Sequence, residues 1–193
     1  MKKSDSELIA DILEGEQSAY EELVRRYQSF VFNVVYHYFA KREDVEDIAQ
    51  EVFLKVFQGL HSYDADRPFK HWLGRIASNM CIDEFRKRKR GRMISLESDL
   101  GKDEKADIEQ LYQGAESNSF LSVGGTEAGL HFLKKAMDTL SEKDRMTYVL
   151  REVEGLAYDE IGSMLGTSVV AARIRVSRAR QQLKAKLEEM LDV

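Results

Sequence analysis

Cysteine, proline and tryptophan each occur once in these 193 residues, as Cys81, Pro68 and Trp72. A single cysteine excludes an intrachain disulfide, and on an apolar helical stretch it reads as a small core residue. Four scattered histidines, His37, His61, His71 and His131, show no Cys–His metal spacing and read as structural or surface residues. No glycine loop of the phosphate-cradling kind occurs, nor any nucleophile–base pair, so the chain reads as neither an enzyme nor a cofactor binder. Residues 30–40 form the most apolar run, too short for a bilayer and broken by Asn33 and His37. Residues 1–4 lead into an acidic amphipathic stretch rather than a signal peptide, which places the protein in the cytoplasm without membrane insertion. Strand-like alternation and internal repeats are missing too. An excess of positive charge is also lacking: 29 Lys and Arg against 34 Asp and Glu give −5. Taken alone, that argues against nucleic-acid binding, but affinity for DNA follows local basic patches rather than the sum.

What remains is helical. Hydrophobic residues make up 43% and charged residues 33%, and helix formers dominate, which fits an all-α protein. Ser4 with Glu7 forms a capping box ahead of Leu8, Ile9, Ile12 and Leu13, and Gly15 ends that helix. Ser18 with Glu21 opens a second. Tyr20, Leu23, Val24, Tyr27, Val31, Val34, Val35 and Tyr38 hold its helical period, and Phe30, Phe32, Tyr36 and Phe39 add a second apolar face. That helix belongs in the middle of a bundle. A third spans residues 42–60 with Val45, Ile48, Ala49, Val52, Phe53, Val56 and Leu60 as its buried stripe. Pro68 starts a fourth, where its missing N–H costs nothing, and this helix runs into the basic residues 86–92.

Residues 93–129 change character. They are rich in Ser, Gly, Asp and Glu, with weak periodicity beyond a short helix at residues 103–112. A linker of that length argues for two domains, residues 1–92 and 130–193, joined flexibly. An acidic bias from Glu97, Asp99, Asp103, Glu104, Asp107 and Glu109 suits either a solvated tether or a segment threading a basic channel. In the second domain, helices at residues 130–140 and 142–154, the latter capped by Ser141, precede a short helix from Tyr158 to Leu165. Residues 166–168 make a tight turn into a long helix ending near residue 190.

Three constellations bear on chemistry. The short helix, the turn at Gly166 and the long helix fit a helix-turn-helix, with Ile161 and Leu165 as anchors and Gly162 where the helices approach. The long helix is basic, with Arg173, Arg175, Arg178, Arg180, Lys184 and Lys186, as a DNA-reading helix needs; a hairpin with a solvated face is the alternative. In the fourth helix, Trp72, Asn79, Asp83 and Arg86 fall near one face beside the basic end, with Phe69 close by. Rings beside cations suit an unpaired strand, though Trp72 serves equally well as core. On the third helix, Asp44, Glu46, Asp47, Gln50 and Glu51 make an acidic face that does not suit DNA phosphates and either meets a basic protein partner or is solvated.

These residues carry a resemblance. Asp44 to Phe57, reading Asp-Val-Glu-Asp-Ile-Ala-Gln-Glu-Val-Phe-Leu-Lys-Val-Phe, resembles the core-binding helix of bacterial sigma factors. Phe69, Trp72, Leu73, Ile76, Ala77, Asn79, Asp83 and Arg86 resemble the family's promoter-melting and −10 helix. Leu140 to Arg145, Asp159 to Ile161, Leu165-Gly166 and Ser177 to Arg180 resemble its −35-binding domain. The length and the lack of further domains point to the extracytoplasmic-function group within the sigma-70 family.

The resemblance implies a specificity subunit that brings RNA polymerase core to promoters and opens the DNA, with no cofactor, metal or catalytic residue. Asp44, Asp47, Gln50 and Glu51 would dock on a coiled coil of the β′ subunit, and the C-terminal domain on the β flap. Phe69, Trp72, Asn79, Asp83, Arg86, Lys87, Arg88 and Arg90 would act at the −10 element. Thr167, Ser168, Val170, Ala171, Arg173, Arg175, Ser177, Arg178 and Arg180 would act at the −35 element. An anti-sigma protein would mask the polymerase-binding surfaces. One departure stands out: Val170-Ala171-Ala172 replaces the family's usual Gly-Thr-Val at the start of the recognition helix, which bears on its −35 preference. The competing function is a helix-turn-helix regulator that never joins polymerase.

Overall fold

The computed structural model describes residues 3–39, 42–95 and 127–191, and those residues are helical with no strand. The order is α1 (Asp5–Leu13), α2 (Gln17–Tyr36), α3 (Arg42–Gly59), a 3₁₀ turn (Leu60–Ser62) and α4 (Phe69–Ser95), then α5 (Glu127–Met137), α6 (Glu142–Glu152), α7 (Tyr158–Leu165) and α8 (Val169–Leu191). The expected linker, with its short helix and its acids, lies outside the described residues apart from its two ends.

Local chemistry sets most boundaries. The Ser4–Glu7 box forms: the Glu7 N–H donates to Ser4 Oγ at 3.3 Å and the Ser4 N–H to Glu7 Oε2 at 2.7 Å. Gly15, at φ 97°, turns the chain. Helix α2 then begins at Gln17 behind an N-cap Glu16 that makes no side-chain cap bond, so Ser18 and Glu21 lie inside the helix instead of opening it. The Gly15 turn replaces a side-chain cap here, because the Glu16 N–H is already held by the Asp11 carbonyl at 2.9 Å. Helix α4 passes beyond the basic cluster and Gly91 to Ser95. Ser141 caps α6, accepting from the Asp144 N–H at 3.2 Å. Gly166 ends α7 in the left-handed conformation at φ 60°, which glycine adopts without strain. Gly162 sits where α7 meets the turn: a Cβ there would lie 2.8 Å from the Thr167 carbonyl oxygen.

The helices form two groups, α1–α4 and α5–α8, which pack on each other. The first core joins Leu23, Val31, Val34, Val45, Val52, Phe69, Leu73 and Ala77, and it continues without a break into Met146, Leu150, Leu156, Ile161, Met164 and Ala172 of the second group. A smaller core ties α5 to α6 and α8 through Ala136, Leu140, Tyr148, Val149, Ala179 and Leu183. At the seam Met164 lies against Gly74 so closely that any Cβ there would come within 2.3 Å of its sulfur. Arg145 is 1% exposed. Its Nη1 donates to Asp138 at 3.0 Å, and its guanidinium lies 5.0 Å from the Tyr38 ring and 5.4 Å from the Phe85 ring. The Tyr38 hydroxyl donates to the Glu142 carbonyl at 2.5 Å, and Asn33 to Glu154 at 3.0 Å. Burial raises the Glu154 carboxyl above its usual range, against the pull of Asn33 and Lys70.

Two consequences are measurable. Gly162→Ala should destabilise the protein by about 1–3 kcal/mol, because a backbone oxygen must move to admit the methyl group; thermal unfolding of the variant against wild type checks this. Burial first, and the Arg145 charge second, push the His37 imidazole down from 6.5 to about 4. The folded state thus prefers neutral His37, and its contribution is complete above about pH 6.5 and is lost as pH falls toward 4. Glu154, raised by burial, acts in the opposite sense, so the comparison is with His37→Gln. The urea midpoint of wild type should fall more steeply than that of His37→Gln between about pH 7 and pH 5.

Candidate nucleic-acid and polymerase interfaces

Helix α4 divides its named residues between interior and surface. Phe69 is 2% exposed and belongs to the core. Trp72 is half-buried, with its ring 5.5 Å from Tyr63 and 5.8 Å from Phe69. Its indole also lies over Gly59, 3.4 Å from where a Cβ would stand. Asn79, Asp83 and Arg86 are exposed at helical spacing, one row along the helix. Arg88 is bound to other work: it meets Asp44 at 2.5 Å and Glu84 at 2.9 Å, and lies 5.0 Å from the centre of the Phe39 ring. That pair also ties Asp44 of α3 to α4. Lys87 and Arg90 are exposed, Lys87 within 3.5 Å of Glu84.

In the helix-turn-helix, Ser168 is exposed, and its Oγ accepts from the Ala171 N–H at 3.1 Å, a cap for α8. Thr167 and Ala171 are half-buried, whereas Val170, Arg173, Ser177, Arg178 and Arg180 are exposed. The Arg173 guanidinium lies 5.3 Å from the Tyr158 ring. Arg178 reaches Asp144 at 3.5 Å, and Arg180 reaches Glu152 at 2.6 Å. Arg175 turns the other way. It lines a cleft of about 270 Å³ together with Gly166, Thr167, Lys143 and, across the seam, Asn79, Asp83 and Arg86. Residues named for two different promoter elements therefore face one another. On the rim of the seam, His71 meets Glu160 at 3.2 Å. The Ala157 N–H first, and His71 second, hold the Glu160 carboxyl below its usual range.

On α3, Asp47, Gln50 and Glu51 are exposed. The same face continues into two apolar residues that the buried stripe does not include, Leu54 at 53% and Phe57 at 52% exposed. Positions 47, 50, 54 and 57 repeat at three- and four-residue steps, so the spacing was there to be read. Leu54 and Phe57 border a cavity of about 350 Å³ with Ile12, Gly15 and Tyr20. An acidic face that ends in exposed rings and methyls can bind a partner by charge and by apolar burial together.

Cys81 is fully buried, and burial pushes its thiol up, away from the reactive thiolate. Among the described residues no group of three or more His, Cys, Asp or Glu is placed to hold a metal ion, and no helix is long and apolar enough to cross a membrane.

Residues 23–91 match the family Sigma-70 region 2, and residues 133–183 match Sigma-70, region 4. The chain is 31% identical to the ECF RNA polymerase sigma-E factor of Escherichia coli K12 over 97% of its own length and 96% of that protein. It is 29% identical to the ECF RNA polymerase sigma factor SigW of Bacillus subtilis, over 94% and 96%. It is 34% identical to SigE of Mycolicibacterium smegmatis, covering 88% of this chain and 63% of that longer relative. Among solved structures, CnrH in complex with the cytosolic domain of CnrY superposes with TM-score 0.70 at 25% identity, covering 97% of this chain and 99% of that one. The sigma factor RpoE of Bartonella quintana, in complex with the anti-sigma factor NepR, shares the fold at TM-score 0.65 and 22% identity, covering 88% and 96%. With both sigma-70 regions present in order and a 31% identical ECF sigma factor matched over 96% of its length, the chain belongs to the ECF sigma factors of the sigma-70 family.

Proposed function

We propose that this ECF sigma factor brings RNA polymerase core to its promoters and opens them through the exposed row on α4, without catalysing any step itself. The observation that carries the reading is the division of surface between neighbouring helices. Helix α3 presents acids that repel DNA, and α4 presents Asn79, Asp83 and Arg86 running into a basic end. A regulator that only grips duplex DNA has no use for the α3 face. The −10 strand would meet Asn79, Asp83, Arg86, Lys87 and Arg90, with Trp72 at the edge. Phe69 supports from the core, and Arg88 braces α4 against α3. Helix α8 would enter the −35 major groove. Domain boundaries near residues 92 and 130 and a cytoplasmic location go with this reading.

For the polymerase, Asp47, Gln50 and Glu51 would supply the polar part of the β′ contact, and Leu54 and Phe57 its apolar end. An anti-sigma protein that covers this face would block assembly, as suits a fold shared with a sigma factor crystallised with its anti-sigma partner. The competing reading, a regulator independent of polymerase, predicts no stoichiometric complex with core on gel filtration. Run-off transcription with core polymerase tests the proposal directly.

Asp47→Lys with Gln50→Lys should leave the fold intact and abolish co-elution with core polymerase, because like charges then meet across the interface. Persistence of the complex at moderate salt would remove α3 from the docking role. Asn79→Ala should cost about 1–3 kcal/mol in open-complex formation through a lost hydrogen bond. A template already melted at −10 should recover much of that loss, and an equal loss on both templates would place the defect elsewhere.

A further inference from the structure

Helix α8 has two opposed faces. Ala172, Val176, Ala179 and Leu183 are buried against the rest of the second group. Opposite them stand Val170, Arg173, Ile174, Ser177 and Arg178, all exposed. Two of these are large and apolar: Val170 is 66% exposed and Ile174 is 52% exposed, one turn apart. They make no contribution to either core. Only six large hydrophobic residues among those described are exposed, and three of the six, Val169, Val170 and Ile174, lie in the first two turns of this helix.

Those turns are the part of a recognition helix that reaches base edges. The edge of a base pair in the major groove offers hydrogen-bonding groups and one apolar group, the thymine 5-methyl. We propose that Val170 and Ile174 are specificity-determining residues that pack on thymine 5-methyl groups in the −35 element. The inference rests on α8 being the −35-reading helix.

The surroundings favour DNA over an apolar protein surface as the occupant. Arg173 lies between the two apolar side chains in sequence and is exposed, so any partner must accept a cation beside methyl groups. Arg173 is steadied by the Tyr158 ring and Ser168 fixes the start of the helix, so the face is presented on a rigid element. Val and Ile are branched at Cβ and hold one main rotamer in a helix, so ordering them against a methyl group costs little entropy. Glycine and serine at positions 170 and 174 would offer no such surface. Val170 thereby exchanges the close backbone approach that a glycine would allow for apolar contact.

The test uses holoenzyme assembled from core polymerase and the full chain. Preferred −35 sequences are selected from a randomised promoter library, and each thymine of the selected element is then replaced, one at a time, by deoxyuridine. This change removes the 5-methyl group and leaves every hydrogen-bonding group in place. At one or two thymines the replacement should weaken binding about four-fold, the value of one buried methyl. In Val170→Ser and Ile174→Ser holoenzymes that ratio should fall to about one at the corresponding thymine. Both side chains are exposed, so the variants keep the fold, which thermal unfolding verifies. A defined −35 preference with no effect of deoxyuridine at any thymine overturns the inference and leaves α8 as a −35 reader. A ratio that survives both substitutions does the same. Loss of core binding in Ile174→Ser, with the thymine ratio intact, assigns the face to polymerase and also overturns it. Absence of any −35 preference in wild type sinks the inference together with the assignment of α8.

Discussion

A guanidinium buried at the seam needs partners from both sides of it. Arg145 is nearly inaccessible, and no partner reaches its Nε. Its charge is met by Asp138 from its own helical group and by the rings of Tyr38 and Phe85 from the other. Taking such a charge from water costs several kcal/mol unless it is compensated nearby. The two rings are available to it only when α1–α4 and α5–α8 are docked. The other seam contacts, Tyr38 to Glu142, Asn33 to Glu154 and Met164 against Gly74, agree with that one placement.

Docking gives α4 neighbours on two sides, α2 and α3 on one and α6 and α7 on the other. Leu73, Ala77 and Cys81 are sealed on its inner side, and α7 and α6 pack along another. The row Asn79, Asp83 and Arg86 stays at the surface, on the wall of the cleft that also holds Thr167 and Arg175. The same economy acts on α3. Its link to α4 through Asp44 and Arg88 consumes one acid and one base, and Asp47, Gln50, Glu51, Leu54 and Phe57 are among the residues that remain outward.

The helices, their approximate limits and the turn at Gly166 were legible because their causes are local: a capping serine, a left-handed glycine, an apolar period. The N-cap of helix α2 lies two residues earlier than expected, at Glu16, because a turn held from α1 did the work expected of Ser18. In the site, Asn79, Asp83, Arg86 and Arg173 were found exposed where helical spacing put them. Phe69, Arg88 and Arg175 were found otherwise engaged, and the exposure of Leu54, Phe57 and Ile174 was not foreseen. Periodicity assigns each residue an angle on its helix, but not which angles a neighbouring helix will cover.

From the sequence alone came the family, the order of the two regions, the all-helical class and the separation of acidic from basic helices. Each depends on residues within a few turns of one another, so local chemistry suffices. The tertiary structure alone decided that the two groups share one core, that Arg145 is buried between them, and which cations are spent on internal ion pairs. Those outcomes turn on contacts between residues such as Asn33 and Glu154, 121 positions apart. Such contacts exist only after the helices have chosen which faces to bury.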